Sequence, residues 1–144
     1  MEHDYTYKDF DALCACQTLR KSARALTRRY NAALKAVELN IGQFTTLASL
    51  LRSDPVQISV LAEQLGMDRT TLTRDLKPLE RRGLVVSRGD DEDARQRRLI
   101  ISDTGRELMK HAIPLWENAQ QETKKEMSDN VWTNLRNDLQ NLTV

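Results

Sequence analysis

Two cysteines, Cys14 and Cys16, are separated by one residue in the run "CACQTLRKSAR". Paired thiols suit a metal site, a redox switch or simple burial. Residues i and i+2 of a helix point about 200° apart, so two such thiols cannot bond to each other or easily share one metal. The two histidines, His3 and His111, are isolated in the sequence. No metal site is therefore expected here.

Two interpretations of these cysteines stay open. They are small buried residues in a helix that packs against a partner, or one of them is a redox switch near a helix N-terminus. The helix dipole and the basic residues Arg20, Lys21 and Arg24 would favour the reactive thiolate there. Two cysteines are too few for a disulfide scaffold, which indicates a chain of the reducing cytoplasm.

A second group of residues suits contact with a polyanion. The stretch "DRTTLTRDLKPLERR" combines basic side chains with short hydroxyls, the groups that bind phosphates and base edges in the DNA major groove. The residues are Arg69, Thr70, Thr71, Thr73, Arg74 and Lys77. We expect base contacts from Thr70, Thr71 and Arg74. Phosphate contacts are expected from Ser59 and Lys77.

The net charge of +1 hides a segregation of basic residues. Residues 12–37 carry six bases and no acid, and residues 69–88 carry six bases against two acids. Separated cationic stretches are typical of a protein that presents a basic face to a polyanion, although solvated helix faces give the same pattern. Three further arginines are expected to be solvated or to pair with Glu80: Arg81, Arg82 and Arg88.

The elements that position these groups follow from the apolar spacing of "QISVLAEQLGMDRTTLTRDLKPLERRGLVV". Ser59 is expected to cap a short helix that ends at the permissive Gly66. Its inward residues are Val60, Leu61, Ala62 and Leu65. Asp68 caps a second helix over 69–82 that Gly83 ends, and its inward residues are Leu72, Leu76 and Leu79. Two short helices joined by such a turn make a helix-turn-helix.

A β-hairpin is predicted next, because "LVVSR" and "RRLIIS" are rich in β-branched residues and flank a polar loop. Four acids at 90–93 would be repelled by phosphate. We expect Asp93 to fold back and fix Arg95 in an extended pose, so that the loop presents guanidinium to DNA. Arg97 is expected to add to this cationic tip.

Amphipathic helices are predicted on both sides of the motif. One covers about 10–37, and another covers about 41–52 behind an Asn40–Gln43 capping box. After Ser102, a helix covers 103–126. A last helix follows Ser128 with the apolar residues Val131, Leu135, Leu139 and Leu142. In so small a monomer this last stripe would be exposed, as would the segment 5–13, which indicates a partner surface.

Composition limits the class of protein. With 40% hydrophobic and 30% charged residues and few Gly or Pro, the chain is expected to fold as one mainly α domain with a small β-hairpin. No window approaches the roughly 18 apolar residues of a membrane span. Catalysis needs a base beside a nucleophile or paired carboxylates in a pocket, and neither histidine has such a partner. A binding protein without enzymatic activity or cofactor is expected.

The order of these segments resembles the MarR family of winged helix-turn-helix transcriptional regulators. The resemblance covers nearly the whole chain and depends on "LNIGQFTTLASL", "LAEQLGMDRTTLTRDLKPLERRGLV" and "DDEDARQRRLIIS" followed by "TG". Asp93 and Arg95 match the family's wing signature D-x-R, although Asp91 offers a second choice for the acid. Ser102 and Asn40 stand where the family usually has threonine, and both are good helix caps.

The resemblance implies a homodimeric repressor that binds a palindromic operator in double-stranded DNA. The parts would be an N-terminal dimerisation helix (1–38), a DNA-binding lobe (39–102) and C-terminal dimerisation helices (103–144). Arg95 would enter the minor groove. Some members of the family sense oxidants with a cysteine in their first helix. A small aromatic or anionic effector would meet residues of the N-terminal helix: Arg20, Arg24 and Tyr30.

The alternative is a winged helix that binds proteins without specific DNA recognition. A protein-binding surface favours aromatic anchors, and only 5% of this chain is aromatic. The basic, hydroxyl-bearing stretch therefore favours DNA.

Overall fold

The computed structural model describes residues 6–52, 54–89, 97–128 and 130–142. Within them, seven α-helices and three strands follow one another, and a 3-10 turn, Lys35–Val37, extends the second helix. The elements are α1 (Tyr7–Leu13), α2 (Ala15–Leu34), α3 (Ile41–Ser49), β1 (Val56–Gln57), α4 (Ile58–Gln64), α5 (Arg69–Arg81), β2 (Val85–Arg88), β3 (Arg98–Ile101), α6 (Asp103–Lys125) and α7 (Val131–Asn141). The expected class, mainly α with a small β-hairpin, is confirmed. None of the described helices is long and apolar enough to cross a membrane.

The hydrophobic core lies beneath the helix-turn-helix. The predicted inward stripe of α5, Leu72, Leu76 and Leu79, is fully buried. It packs in a cluster to which α3, α4, β3 and α6 also contribute fully buried side chains: Leu47, Ile58, Leu61, Leu99 and Met109. Each such side chain stabilises the fold by about 1.5–3 kcal/mol. The buried stripe therefore fixes which face of α5 remains in solvent.

The predicted caps and turns of the α3–α5 region are confirmed with one exception. Asn40 and Gln43 form the reciprocal capping box of α3, at 2.8 and 3.0 Å. The Asp68 carboxylate accepts from the Thr71 N–H at 2.8 Å. Gly66 and Gly83 have φ of 62° and 68°, a left-handed backbone that glycine adopts without strain.

The exception is Ser59, which does not cap α4. The N-cap is Gln57, and Ser59 is an exposed residue of the first helical turn. Gln57 also belongs to β1, where it pairs with Arg98, so the chain passes from strand to helix without a loop. Because α4 begins at Ile58, the Ile58 side chain points into the core. Val60, which was expected to be buried, is 41% exposed.

The sheet has three strands rather than the two of the predicted hairpin. Its order is β1-β3-β2, with antiparallel registers Val56↔Leu99 and Val85↔Ile101. β1 is only two residues long, too short for an alternating pattern to predict. It joins the hairpin to the first residue of α4.

The continuous helix expected over 10–37 is wrong, because the chain breaks at Cys14. This residue ends α1 and begins α2 with an extended backbone (φ −81°, ψ 106°). The break lets Lys21 reach Asp11, with Nζ 2.9 Å from the carboxylate. Ten residues along a straight helix span about 15 Å, so this ion pair requires the break. The expectation that both cysteines share one continuous helix therefore fails.

The N-terminal and C-terminal helices pack through α2 and α6. The buried Tyr30 donates its hydroxyl to Gln120 Oε1. The neighbouring Arg29 donates to the Thr123 hydroxyl at 3.1 Å and to Glu126 at 2.6 Å. These polar contacts set the register of the two longest helices.

Candidate nucleic-acid interface

The outward side of α5 is a single cationic surface, the α5 basic face. It lines an open depression of about 400 Å³ and consists of Arg69, Thr70, Thr73, Arg74 and Lys77. All five were predicted as DNA contacts. Because the leucine stripe on the opposite side is fully buried, α5 cannot rotate these groups inward without losing its core contacts.

The three threonines of α5 differ in what their hydroxyls do. Thr71 donates to the Asp68 carboxylate at 2.7 Å, and Thr73 donates to the Arg69 carbonyl at 2.8 Å. Both hydroxyls keep acceptor capacity but have used their donor within the helix. Thr70 is exposed, and no described residue bonds its hydroxyl. The Thr70 hydroxyl therefore keeps its donor, and the exposed Arg74 lies one helical turn along the same face.

The cap of α5 places one acid beside the α5 basic face. The backbone N–H of Thr71, and then its hydroxyl, hold the pKa of Asp68 below its usual value. The carboxylate is therefore ionised at the helix N-terminus, where it satisfies an otherwise unpaired N–H and faces the positive end of the helix dipole. Three bases on the α5 basic face outweigh this charge.

The hairpin of β2 and β3 stands beside α5 as the wing. Its described part ends at the Arg88↔Arg98 pair. Arg95, the predicted minor-groove residue, and Asp93, which was expected to hold it, lie outside the described residues. Arg97 is described, and its guanidinium has protein partners: Nε donates to Ser87 Oγ at 2.5 Å, and Nη2 bonds Glu80. Glu80 therefore bonds Arg97, and the three arginines that were expected to be solvated or to pair with Glu80 are exposed: Arg81, Arg82 and Arg88.

Arg82, which was expected to be solvated or to pair with Glu80, instead connects α5 to the end of the 3-10 turn that extends α2. Arg82, the C-cap of α5, donates to the carbonyls of Glu38 at 2.6 Å and Val37 at 3.3 Å. Glu38 has a left-handed backbone with φ 54°, which exposes these carbonyls at the end of the 3-10 turn. The partners are 44 and 45 residues away in sequence, so no local pattern could indicate the contact.

The predicted effector and redox residues lie away from the α5 basic face. Arg20, Arg24 and Cys16 are exposed along α2, while Cys14 is half-buried at the α1–α2 break. Tyr30 is buried against α6. The five residues therefore do not share one accessible surface, and an effector that reached the Tyr30 hydroxyl would have to displace Gln120.

The comparisons with known proteins agree with this geometry. A model described as the MarR family matches residues 39–96. The transcriptional regulator MosR of M. tuberculosis is 38% identical over 92% of this chain and 94% of MosR, with a TM-score of 0.79. A second MosR structure, in complex with DNA, is 39% identical over 90% of this chain and 93% of that chain, with a TM-score of 0.81.

Curated relatives are regulators as well. The organic hydroperoxide resistance transcriptional regulator of Bacillus subtilis (strain 168) is 28% identical over 69% of this chain and 68% of its own. The transcriptional repressor MprA of Escherichia coli (strain K12) is 29% identical over 80% of this chain and 65% of its own.

The fold and the α5 basic face define a winged helix-turn-helix protein. The family match and the near-full-length likeness to MosR show that the chain belongs to the MarR family of transcriptional regulators. The matched relatives are transcriptional regulators and not enzymes.

Proposed function

We propose that the protein is a cytoplasmic, homodimeric repressor that binds a palindromic operator in double-stranded DNA. The observation that carries the proposal is the α5 basic face, held outward by three fully buried leucines. A helix with short hydroxyls and basic groups on its exposed side fits the major groove. The DNA complex of MosR supports this placement.

The contacts divide into two kinds. Thr70, Thr71 and Arg74 read bases, with Thr71 also serving as the partner of the Asp68 cap. Arg69, Thr73, Lys77 and Ser59 bind phosphates or orient the helix. In the wing, Asp93 holds Arg95 for the adjacent minor groove, where narrow A·T-rich tracts concentrate negative potential.

The exposed apolar residues at the chain ends support the dimer. Tyr7 and Leu13 of α1 are 75% and 74% exposed, and Leu142 after α7 is 70% exposed. A second copy would cover both ends, with residues 1–38 and 103–144 acting as dimerisation segments and residues 39–102 as the DNA-binding lobe. Two-fold symmetry would then place the two α5 helices about 34 Å apart, one turn of DNA.

Release from DNA would come from a ligand or an oxidant that changes this spacing. A small aromatic or anionic effector would bind near Arg20, Arg24 and Tyr30, and it must favour one spacing over the other to shift the equilibrium. Alternatively, a hydroperoxide would transfer one oxygen to the thiolate of Cys14 or Cys16, leaving a sulfenic acid and an alcohol. The break at Cys14 supports the redox route, because chemistry there alters how α1 is held on α2.

Selection of genomic DNA tests the proposal. Purified protein is mixed with fragmented host DNA, and the retained fragments are sequenced. We expect enrichment of an inverted repeat whose half-sites are one helical turn apart. Arg95→Ala should weaken binding to the enriched duplex without unfolding the protein. Retention no better than for random competitor would leave the protein-interaction winged helix as the better interpretation.

Oxidation separates the two routes of release. The operator complex is treated with an organic hydroperoxide in wild type, Cys14→Ser and Cys16→Ser. Loss of binding in wild type, abolished by one of the two serine variants, identifies the reactive thiol. If oxidised wild type keeps its affinity, both cysteines are structural.

A further inference from the structure

Three parts of the DNA-binding lobe meet at Arg97. Its Nε donates to Ser87 of β2, and its Nη2 bonds Glu80 near the end of α5. Its carbonyl oxygen accepts from the N–H of Ile58, the first residue of α4, at 3.1 Å. One residue therefore joins the wing to both helices of the helix-turn-helix.

The Arg97–Glu80 pair is shielded from solvent. The two side chains are 29% and 24% exposed, whereas those of the Lys110–Glu107 pair on α6 are 68% and 65% exposed. Exposed pairs contribute little because water screens them and the side chains must give up freedom. A half-buried arginine whose guanidinium donates from two of its nitrogens to two different acceptors is held in one orientation.

The same geometry argues against a DNA contact by Arg97. A phosphate contact by this guanidinium would compete with Glu80 for the same positive charge, and it would leave a half-buried carboxylate unpaired. Leaving a buried charge unpaired is costly. Arg98, by contrast, is the exposed first residue of β3.

We propose that Arg97 is a positioning residue that acts through Glu80 and Ser87 to fix the wing relative to α5, and does not contact DNA itself. The inference rests on the proposed function. A fixed wing sets the distance between the major-groove contacts of α5 and the minor-groove contact of Arg95. Arg97 thereby determines the operator geometry to which α5 and the wing can bind at the same time.

The first test uses the free protein and is independent of DNA. Amide hydrogen exchange is measured in wild type, Glu80→Gln and Arg97→Ala, and we expect faster exchange in residues 85–88 and 98–101 in both variants. Arg98→Ala, which removes one charge from β3, should leave the exchange of β2 unchanged. Unaltered exchange in Glu80→Gln would overturn the proposal.

The second test uses the duplex enriched by wild-type protein. It depends on whether Glu80→Gln raises or lowers the affinity for that duplex. Glu80→Gln removes a negative charge near DNA. If Arg97 bound phosphate, this change would free the guanidinium and leave affinity equal or higher. The positioning role predicts that Glu80→Gln and Arg97→Ala each weaken binding about tenfold, and that the double variant is no weaker than either single one.

Further variants separate positioning from mere stability. Arg97→Lys keeps the charge but not the fork, so it should bind the duplex as weakly as Arg97→Ala. The exchanged pair Glu80→Arg with Arg97→Glu should recover most of the affinity, which a phosphate contact would forbid. When Arg98→Ala is combined with Glu80→Gln, their effects on the free energy of duplex binding should be additive. A lowered Tm with unchanged duplex affinity in Glu80→Gln would sink the proposal and leave the DNA-binding function intact.

Discussion

The helices α5 and α7 are similar in length and amphipathic character, but the apolar side of α5 is buried and that of α7 is not. α5 has 13 residues, and its three inward leucines are fully buried. α7 has 11 residues, and none of them is buried; its first residue, Val131, is 44% exposed. A helical apolar stripe thus predicts that a helix will form, while its neighbours decide whether the stripe is covered.

The contrast between α5 and α7 extends to the two parts of the chain. The lobe that contains α5 covers its apolar surface with its own strands and helices. The ends that contain α1 and α7 leave aromatic and aliphatic side chains in solvent, a pattern that usually marks a partner surface. We expect the lobe to respond to mutation as a monomer core and the ends to respond as an interface.

The largest effect is expected in the core of the lobe. Leu76→Ala removes a fully buried side chain and leaves a cavity, so the free energy of unfolding should fall by about 2–5 kcal/mol. Urea denaturation gives the value. Leu142→Ala, at a 70% exposed position, is the matched control and should change the denaturation midpoint far less at low protein concentration. Equal losses would abolish the distinction between the two parts.

A close backbone approach makes Gly105 the next most sensitive position. A Cβ on Gly105 would lie 2.4 Å from the Leu84 carbonyl oxygen, where α6 begins against β2. Backbone cannot yield as a side chain can, so Gly105→Ala should destabilise by about 1–3 kcal/mol. Thermal unfolding checks this, with Gly42→Ala as control because its nearest neighbour is the Asn40 side chain at 3.3 Å. A normal Tm for Gly105→Ala would show that α6 can shift away from the sheet.

The DNA-reading role of α5 predicts a loss of affinity without a loss of stability. Arg74 is exposed on the α5 basic face, so Arg74→Ala should cost about 1–3 kcal/mol at the selected duplex and relax base preference there. Competition binding against single-base variants measures both. Lys77→Ala should instead weaken all duplexes alike and reduce the salt dependence. Identical behaviour of the two variants contradicts the division into base and phosphate contacts.

The proposed role of α7 in a dimer interface predicts an effect that depends on protein concentration. Leu142→Ser should shift the monomer–dimer equilibrium toward monomer, whereas Arg136→Ser on the exposed side of α7 should not. Sedimentation over a range of protein concentrations checks both. If wild type itself is a monomer at all concentrations, the ends are not an interface between copies.

The smallest effect concerns the cap of α5. Hydrogen bonds from Thr71 lower the pKa of Asp68 in the folded state. Its carboxylate therefore stabilises the fold at pH values above its ordinary pKa of 3.8. That stability is lost as pH falls through the lowered folded pKa. Asp68→Asn keeps a capping oxygen without titrating. The difference in Tm between wild type and Asp68→Asn should shrink below about pH 4; a constant difference would exclude this linkage.

Local chemistry made much of the lobe predictable. The leucine spacing of α5, the Asp68 cap and the two glycines all depend on residues within a few positions of each other, and all are confirmed. The predicted capping role of Ser59 was wrong, because β1 decides where α4 begins. β1 in turn forms only through its pairing with β3. The break at Cys14 was not predicted, because neither glycine nor proline marks it in the sequence.

Sequence alone determined the leucine stripe, the cap and the cationic residues of α5, because these follow from short-range periodicity, caps and charge. The family was indicated by the resemblance of its motifs. Only the tertiary structure decided that Arg97 bonds Glu80 and Ser87, and that Arg82 bonds the Glu38 carbonyl after the 3-10 turn that extends α2. A guanidinium on a long flexible side chain can donate equally well to DNA or to protein acceptors. Its partner is chosen by which acceptors the folded backbone brings within hydrogen-bonding distance.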